Sequence, residues 1–289
     1  FVPDARLDDV MISIATTGGG VGPHFDSYDV FLLQAAGRRR WRYGAQKDLS
    51  LQEGLPLKIL SRFEPRADHV LEPGDMLYLP PQAAHDGIAE TDDCMTISIG
   101  FRAPGMAALA RGLLEAAADQ VEARLGQPAG PYGEPPLPGP RLDGIYRDPG
   151  QAAVRHPAEL PDALLDATLA TLDRLRFDAA LAARFLGCWL SEPNALAVFA
   201  PNDDAPDLET SWPRDGRLAL DRRSRMLYHG GQLFINGETA PVPPSPALRA
   251  LADERSLDCG DARCRKLDAA SRACLANWLA AGWLRYVPS

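Results

Sequence analysis

Gly and Pro clusters cut residues 9–102 into short apolar runs, at GGGVGP (18–23), QAAGRR (34–39), EPG (72–74) and LPP (79–81). Runs of that length, rich in Val, Ile, Leu, Tyr and Phe, suit β-strands and leave no room for helices. Several strands at this spacing form a barrel or a sandwich. From Pro104 the period changes. Met106, Leu109, Leu113, Ala117, Val121 and Leu125 recur at steps of three and four, as an amphipathic helix requires. The stretch 128–144 holds six prolines, which remove backbone donors and fix φ, so it is a linker or an extended surface strap. Leucine-rich helices return between about Asp162 and Leu190, packing against the first helix or against a second subunit. LYHGGQLFING (227–237) reads as a hairpin, and helices are expected near Ala247–Glu254 and Asp268–Ala281, an arrangement that a winged-helix-like unit would satisfy. The expected class is α+β, divided into a barrel over 1–104, a helical region over 105–200 and a winged-helix-like part over 201–289.

With 46% apolar and 24% charged residues, the composition excludes disordered, collagenous and disulfide-scaffold classes. No run approaches the roughly 18–20 apolar residues that a membrane span needs, and no signal segment opens the chain, so a cytoplasmic protein is expected. Five Cys without CxxC spacing point to buried, reduced thiols. Because the chain opens on Phe1, just ahead of a strand-like run, an N-terminal portion of the native protein is expected to be missing. Residues 211–289 carry twelve Lys and Arg against eight Asp and Glu, a local +4, which leaves −13 on residues 1–210. An acidic front part disfavours phosphate backbones and suits a basic partner. The basic tilt of the C-terminal part reads as an ordinary solvated surface more readily than as a nucleic-acid site.

His24-Phe25-Asp26 carries the chemistry. In a strand, alternate side chains share a face, so one imidazole and one carboxylate would sit together on one wall. The third ligand candidate is His85, placed just after the apolar run that ends at Pro80-Pro81. Two His and one carboxylate bound facially leave three open positions on an octahedral iron, enough for a bidentate 2-oxo acid and O2. An HxD pair alone arises often by chance, and a core His beside an unrelated Asp is the bland alternative. The context is what separates this pair from His69, His156 and His229, which read as surface or structural residues. After a turn at Gly37, alternation puts Arg39, Trp41 and Tyr43 on one face and Arg38, Arg40 and Arg42 on the other. An inward Arg39 suits a bidentate bridge to a carboxylate, while the outward arginines read as a solvated face. GGGVGPH lacks the Lys-Ser/Thr ending of a phosphate loop, and no GxSxG elbow occurs, so neither a nucleotide cradle nor a hydrolase fits.

The runs DDVMISIATTGGGVGPHFDSYDVFLLQAAGRRRWRYG, LEPGDMLYLPPQAAHDGIAE and MTISIGFRAP closely resemble the bacterial ribosomal oxygenases, JmjC-type arginine hydroxylases of a large-subunit ribosomal protein. The resemblance continues more loosely through LSEPN (190–194) and LFINGE (233–238), so it covers nearly the whole chain. It implies a double-stranded β-helix (cupin, JmjC) barrel, a helical dimerisation region and a C-terminal winged-helix-like domain. It further implies Fe(II) held by His24, Asp26 and His85, with 2-oxoglutarate and O2 as cosubstrates and Arg39 on the 2-oxoglutarate side chain. Thr96 and Ser98 would line the cosubstrate pocket, Thr96 standing where relatives are expected to have Asn. The implied substrate is an arginine Cβ of a basic large-subunit ribosomal protein, and the implied assembly a homodimer. Three other readings stay open: a histidine-hydroxylating oxygenase of the same fold, a non-catalytic cupin and winged-helix binding protein, and a metal cupin with other chemistry.

Overall fold

The computed structural model describes residues 2–289 apart from 151–152, 154 and 202–205. The chain divides into two units, Phe1–Met106 and Ala107–Ser289.

The first unit contains β1 (Leu7–Ala15), β2 (Tyr28–Ala36), β3 (Arg39–Gly44), β4 (Ala67–Leu71), β5 (Met76–Leu79), β6 (Ala84–Ala89) and β7 (Cys94–Arg102). They pair antiparallel in two sheets, ordered β1-β7-β2-β5 and β4-β3-β6. The chain passes from one sheet to the other at Gly37, between β2 and β3. Its φ of +58° favours glycine, and a Cβ there would lie 2.3 Å from Thr91 Oγ1 and 2.9 Å from Cys94 Cα. Alternation then turns Val30 and Leu32 of β2 and Trp41 of β3 toward each other, where they pack with Leu79. Burial of such side chains stabilises the fold by about 1.5–3 kcal/mol each. The opposite face of β3 is more organised than a solvated surface. Arg40 bonds Glu90 at 2.9 Å and Asp68 at 3.1 Å, and Arg42 pairs with Asp86, so both arginines tie β3 to its neighbours.

In the second unit, α1 (Met106–Arg124), α2 (Asp162–Leu172) and α3 (Ala179–Ser191) precede the C-terminal part. The buried stripe of α1 runs through Gly112, Ala116, Ala117, Gln120 and Ala123, with Leu109 and Leu113 only partly covered and Met106 exposed. That stripe is rotated from the expected one because the bulky Phe185 of α3 packs over the small residues Ala116 and Ala117. The proline-rich stretch forms the anticipated strap. Its backbone is held by Gln120, which accepts from Leu137 N at 2.6 Å, and by the buried Arg184, which donates to Pro135 O at 2.8 Å.

Beyond them lie β8 (Arg217–Leu220), β9 (Met226–His229), β10 (Gln232–Ile235), β11 (Glu238–Thr239), α4 (Pro246–Glu254), β12 (Ser256–Asp258), α5 (Ala269–Ala280) and β13 (Leu284–Val287). The sheets β11-β10-β9 and β12-β8-β13 enclose an apolar core with α4 and α5, in which Leu218, Leu233, Leu248, Leu251, Leu275 and Leu284 are wholly buried. The hairpin and both helices fall where the sequence places them. Ser245 caps α4 through Leu248 N, and Asp268 caps α5 through Ser271 N. All five cysteines are buried and free. Among the described residues, no helix is long and apolar enough to cross a membrane.

Candidate metal centre

Strand alternation is not what joins His24 to Asp26. Both precede β2, and His24 is held instead by an isolated antiparallel bridge to His85. The bridge is reciprocal: His24 N donates to His85 O at 2.9 Å, and His85 N donates to His24 O at 2.8 Å. Gln82 N, two residues beyond Pro80, donates to Asp26 O at 2.7 Å. The expected strand is therefore an extended segment laid along the start of β6. The Gly-rich run explains how it lies so close, since a Cβ on Gly20 would stand 2.5 Å from Gly87 O of β6. GGGVGP thus permits a close backbone approach, in keeping with the absence of a phosphate-loop ending.

That clamp brings three side chains together. The ligating atoms of His24, Asp26 and His85 all lie within 4.8 Å of one another, and among the described residues no other set of three His, Cys, Asp or Glu side chains does so. The imidazole centroids are 4.2 Å apart, and His85 Nε2 is 3.7 Å from Asp26 Oδ2. Each ring has a fixed tautomer. His24 Nδ1 is 2.8 Å from Gly22 O and His85 Nδ1 is 2.9 Å from Ala83 O. A carbonyl only accepts, so Nδ1 carries a proton in both rings, which is the tautomer that leaves Nε2 as the ligating nitrogen. Burial, reinforced by the neighbouring His24, holds His85 below its ordinary pKa despite the opposing pull of the Ala83 carbonyl, Asp26 and Asp86. Two imidazole Nε2 atoms, each ring oriented by a backbone carbonyl, and one carboxylate form a donor set suited to a divalent first-row metal.

The triad lines a cavity of about 280 Å³ within the first unit, together with Arg39, Thr96 and Ser98. All six residues singled out in the sequence therefore meet in one place. Arg39 is buried, its Nε lies 3.4 Å from Cys94 Sγ, and its guanidinium carbon is 5.6 Å from the centre of the Trp41 ring. Among the described residues no carboxylate lies within ion-pairing distance of it. A buried cation without a counter-ion, open to a cavity, is a receptor for an anion. Thr96 and Ser98 face the cavity from β7, and Thr96 Oγ1 donates to Gln34 Oε1 at 3.0 Å.

Several lining residues escaped the sequence reading. Asp9, Met11 and Ser13 reach the cavity from β1, opposite Gly100, Ser98 and Thr96 of β7. Only the pairing of the first strand with the last places them there. Asp86, between the lining residues His85 and Gly87, does not line the cavity and pairs instead with Arg42 directly across the β3–β6 pair. His69 is exposed and stacks on Tyr43 with centroids 5.9 Å apart, while His156 and His229 are exposed.

Residues 1–109 match the family model described as JmjC domain, and residues 174–285 match ROXA-like winged helix. Over 262 residues the chain is 34% identical to ribosomal protein uL16 3-hydroxylase of Escherichia coli, covering 89% of this chain and 64% of that relative. The chain thus spans just under two thirds of the length of this curated relative. It is 39% identical over 74 residues to the bifunctional lysine-specific demethylase and histidyl-hydroxylase NO66 of Drosophila persimilis, a match limited to 25% of this chain and 11% of that protein. The solved structure of YcfD, a ribosomal oxygenase from Escherichia coli, in complex with cobalt and 2-oxoglutarate superposes with a TM-score of 0.73 at 32% identity. It covers 99% of this chain and 72% of that one.

Proposed function

The chain belongs to the JmjC-domain ribosomal oxygenases, and from that premise we propose that it is a 2-oxoglutarate- and Fe(II)-dependent protein hydroxylase acting on an arginine Cβ of a large-subunit ribosomal protein. The observation that carries this reading is the pairing, in one cavity, of a free two-nitrogen, one-carboxylate donor set with a buried arginine that lacks a protein counter-ion.

The residues fit the cofactor and cosubstrate. His24 Nε2, His85 Nε2 and an Asp26 oxygen would hold the metal, and Arg39 would hold the remote carboxylate of 2-oxoglutarate through the nitrogens that Cys94 does not engage. Bound Fe(II), with 2-oxoglutarate and O2, supplies the oxidising chemistry that inserts one oxygen atom into a C–H bond and yields succinate and CO2. The chain contributes position and an apolar surround. Val30, Leu32 and Trp41 form an apolar wall of the cavity, and the two Nδ1–H···O=C bonds keep both imidazoles in the ligating tautomer. Asp9 supplies a second carboxylate to the cavity beside Asp26, apt for a guanidinium. The −13 carried by residues 1–210 would draw a basic protein toward it.

A histidine target is the weaker reading, because likeness to the histidyl-hydroxylase is confined to a quarter of this chain. Turnover separates them. The chain, supplied with Fe(II) and 2-oxoglutarate, should release succinate with an arginine peptide of uL16 and add about 16 Da, one oxygen atom, to that peptide. Succinate formed only with a histidine-containing ribosomal peptide would transfer the assignment. We place the activity in the cytoplasm, without direct nucleic-acid binding, and assign the barrel to 1–104, dimerisation to 105–200 and the winged-helix-like part to 201–289. The homodimer has a motive in α2, none of whose residues is buried and whose Leu165, Leu169 and Leu172 are exposed. Sedimentation at the mass of a single 31.3 kDa chain would remove it.

A further inference from the structure

Gln34 is wholly buried on β2 and does not line the cavity, yet it touches two groups that bear on it. Its Nε2 donates to Ala36 O at 2.7 Å and stands 3.4 Å from Gly37 O. Both are acceptors only, so the amide has one orientation, with Oε1 turned toward Thr96. Thr96 Oγ1, 3.0 Å away, must then give its single proton to Gln34. The threonine consequently offers the cavity lone pairs and a methyl group, and no donor.

The other end of Gln34 bears on Arg39. Ala36 and Gly37 form the turn that delivers Arg39 as the first residue of β3, and Gln34 holds both their carbonyls from inside. Nε2 also lies 3.5 Å from Cys94 Sγ, the atom that receives Arg39 Nε at 3.4 Å. Turn, thiol and guanidinium are thereby tied to a single amide. In the β2–β7 pairing the register slips between Gln34 and Ala36, so the side chain bridges an irregularity that no ladder bond spans.

We propose that Gln34 is the positioning residue of the anion-binding end of the cavity: it sets where Arg39 presents its free donors and turns the Thr96 proton away from the ligand. This inference rests on the reading that 2-oxoglutarate occupies the cavity. It makes Arg39 the carboxylate's donor and requires Thr96 to face a methylene or a donor of the ligand, since two sets of lone pairs would repel.

Direct binding tests it without turnover. Titration calorimetry of 2-oxoglutarate into the Mn(II)-loaded chain should show Gln34→Leu weakened about 10- to 100-fold, the usual cost of losing an outer-shell partner. Mn(II) affinity, measured alone, should stay at the parent value, because no metal ligand touches Gln34. Gln34→Leu deprives the Thr96 hydroxyl of its protein acceptor and frees its proton to turn toward the cavity, so the double variant Gln34→Leu/Thr96→Val is the companion measurement. Removing both partners of a buried hydrogen bond avoids the cost of losing one alone. The double variant should regain part of the lost melting temperature while its 2-oxoglutarate affinity stays low. Parent affinity in Gln34→Leu, or affinity that recovers in step with the melting temperature, overturns the positioning role. A parent chain that binds Mn(II) but no 2-oxoglutarate overturns the cosubstrate reading and this inference together.

Discussion

The largest interior cluster of each unit is built of a different material. In the C-terminal part, Leu218, Leu233, Leu248, Leu251, Leu275 and Leu284 meet in an apolar core, and its buried thiols lie among them. In the first unit, Arg39, His85, Asp86, Gln34 and Thr96 are as deeply buried as the apolar cluster of Val30, Leu32, Trp41 and Leu79. An apolar interior is held by packing alone. A polar one persists only when its groups are paired, because an unpaired buried donor or charge costs more than any single contact returns. Most of the polar interior obeys this: Asp86 pairs with Arg42, Thr96 with Gln34, and each histidine Nδ1 with a carbonyl. Among the described residues, the groups facing the cavity that form no hydrogen bond to protein include both imidazole Nε2 atoms, the Asp26 carboxylate, Trp41 Nε1 and the free edge of Arg39. Those exceptions locate the chemistry.

Two substitutions would sharpen that contrast. Asp26→Ala should have the larger effect on binding. It removes a ligand rather than an outer partner, so Mn(II) affinity should fall by more than about 100-fold. The melting temperature should barely move, since the side chain is 43% exposed. Retained Mn(II) binding would take Asp26 out of the donor set. Leu275→Ala should behave in the reverse way. It opens a void in a wholly buried site and should destabilise the second unit by about 2–5 kcal/mol. Denaturant unfolding would report the loss, while Mn(II) affinity of the barrel should be retained. A Leu275 variant that loses metal with stability would show that the division of labour between the units is false.

Much of this was legible in the sequence, and what was not has a physical reason. His24, Asp26, His85 and Arg39 could be read because the chemistry needs those residue types and the turns around them are marked by Gly and Pro. The reason offered for His24 and Asp26 was wrong in detail, since a backbone bridge to His85 aligns them and a bridge between residues 61 positions apart leaves no local trace. β1 misleads more deeply. Asp9, Met11 and Ser13 line the cavity and Val10, Ile12 and Ile14 are 58%, 59% and 72% exposed, but Met11 is itself 59% exposed, so neither burial nor an apolar pattern marks the cavity face of this strand. Alternation reveals a face only where one side of the strand is buried. Gln34 left no signal, because an isolated glutamine in a strand carries no spacing; only its fixed amide orientation gives it a role. The hairpin and capped helices of the C-terminal part were readable from turn chemistry, whereas its contribution to function was not, because its core is built of residues that pack and do not react.

Thiol reactivity tests the same contrast at its mildest. Burial pushes the Cys264 and Cys274 thiols up to about 11, and it also raises Cys188 and Cys259 above the usual thiol range. The thiolate is the reactive form, so at pH 8 a thiol with a pKa of 11 is ionised in only about one molecule in a thousand. Cys94, wholly buried in the barrel, is shielded differently, by the Arg39 and Gln34 nitrogens against its sulfur. An aromatic disulfide reagent at pH 8 should therefore label none of the five in the folded chain and all five after unfolding in guanidinium. In Gln34→Leu the apolar core thiols should stay silent, whereas Cys94, having lost one of its two nitrogen neighbours and the firm turn beside it, should become the first to react. Labelling that begins instead at Cys264 or Cys274 would mean that the C-terminal core, and not the polar interior of the barrel, is the looser of the two.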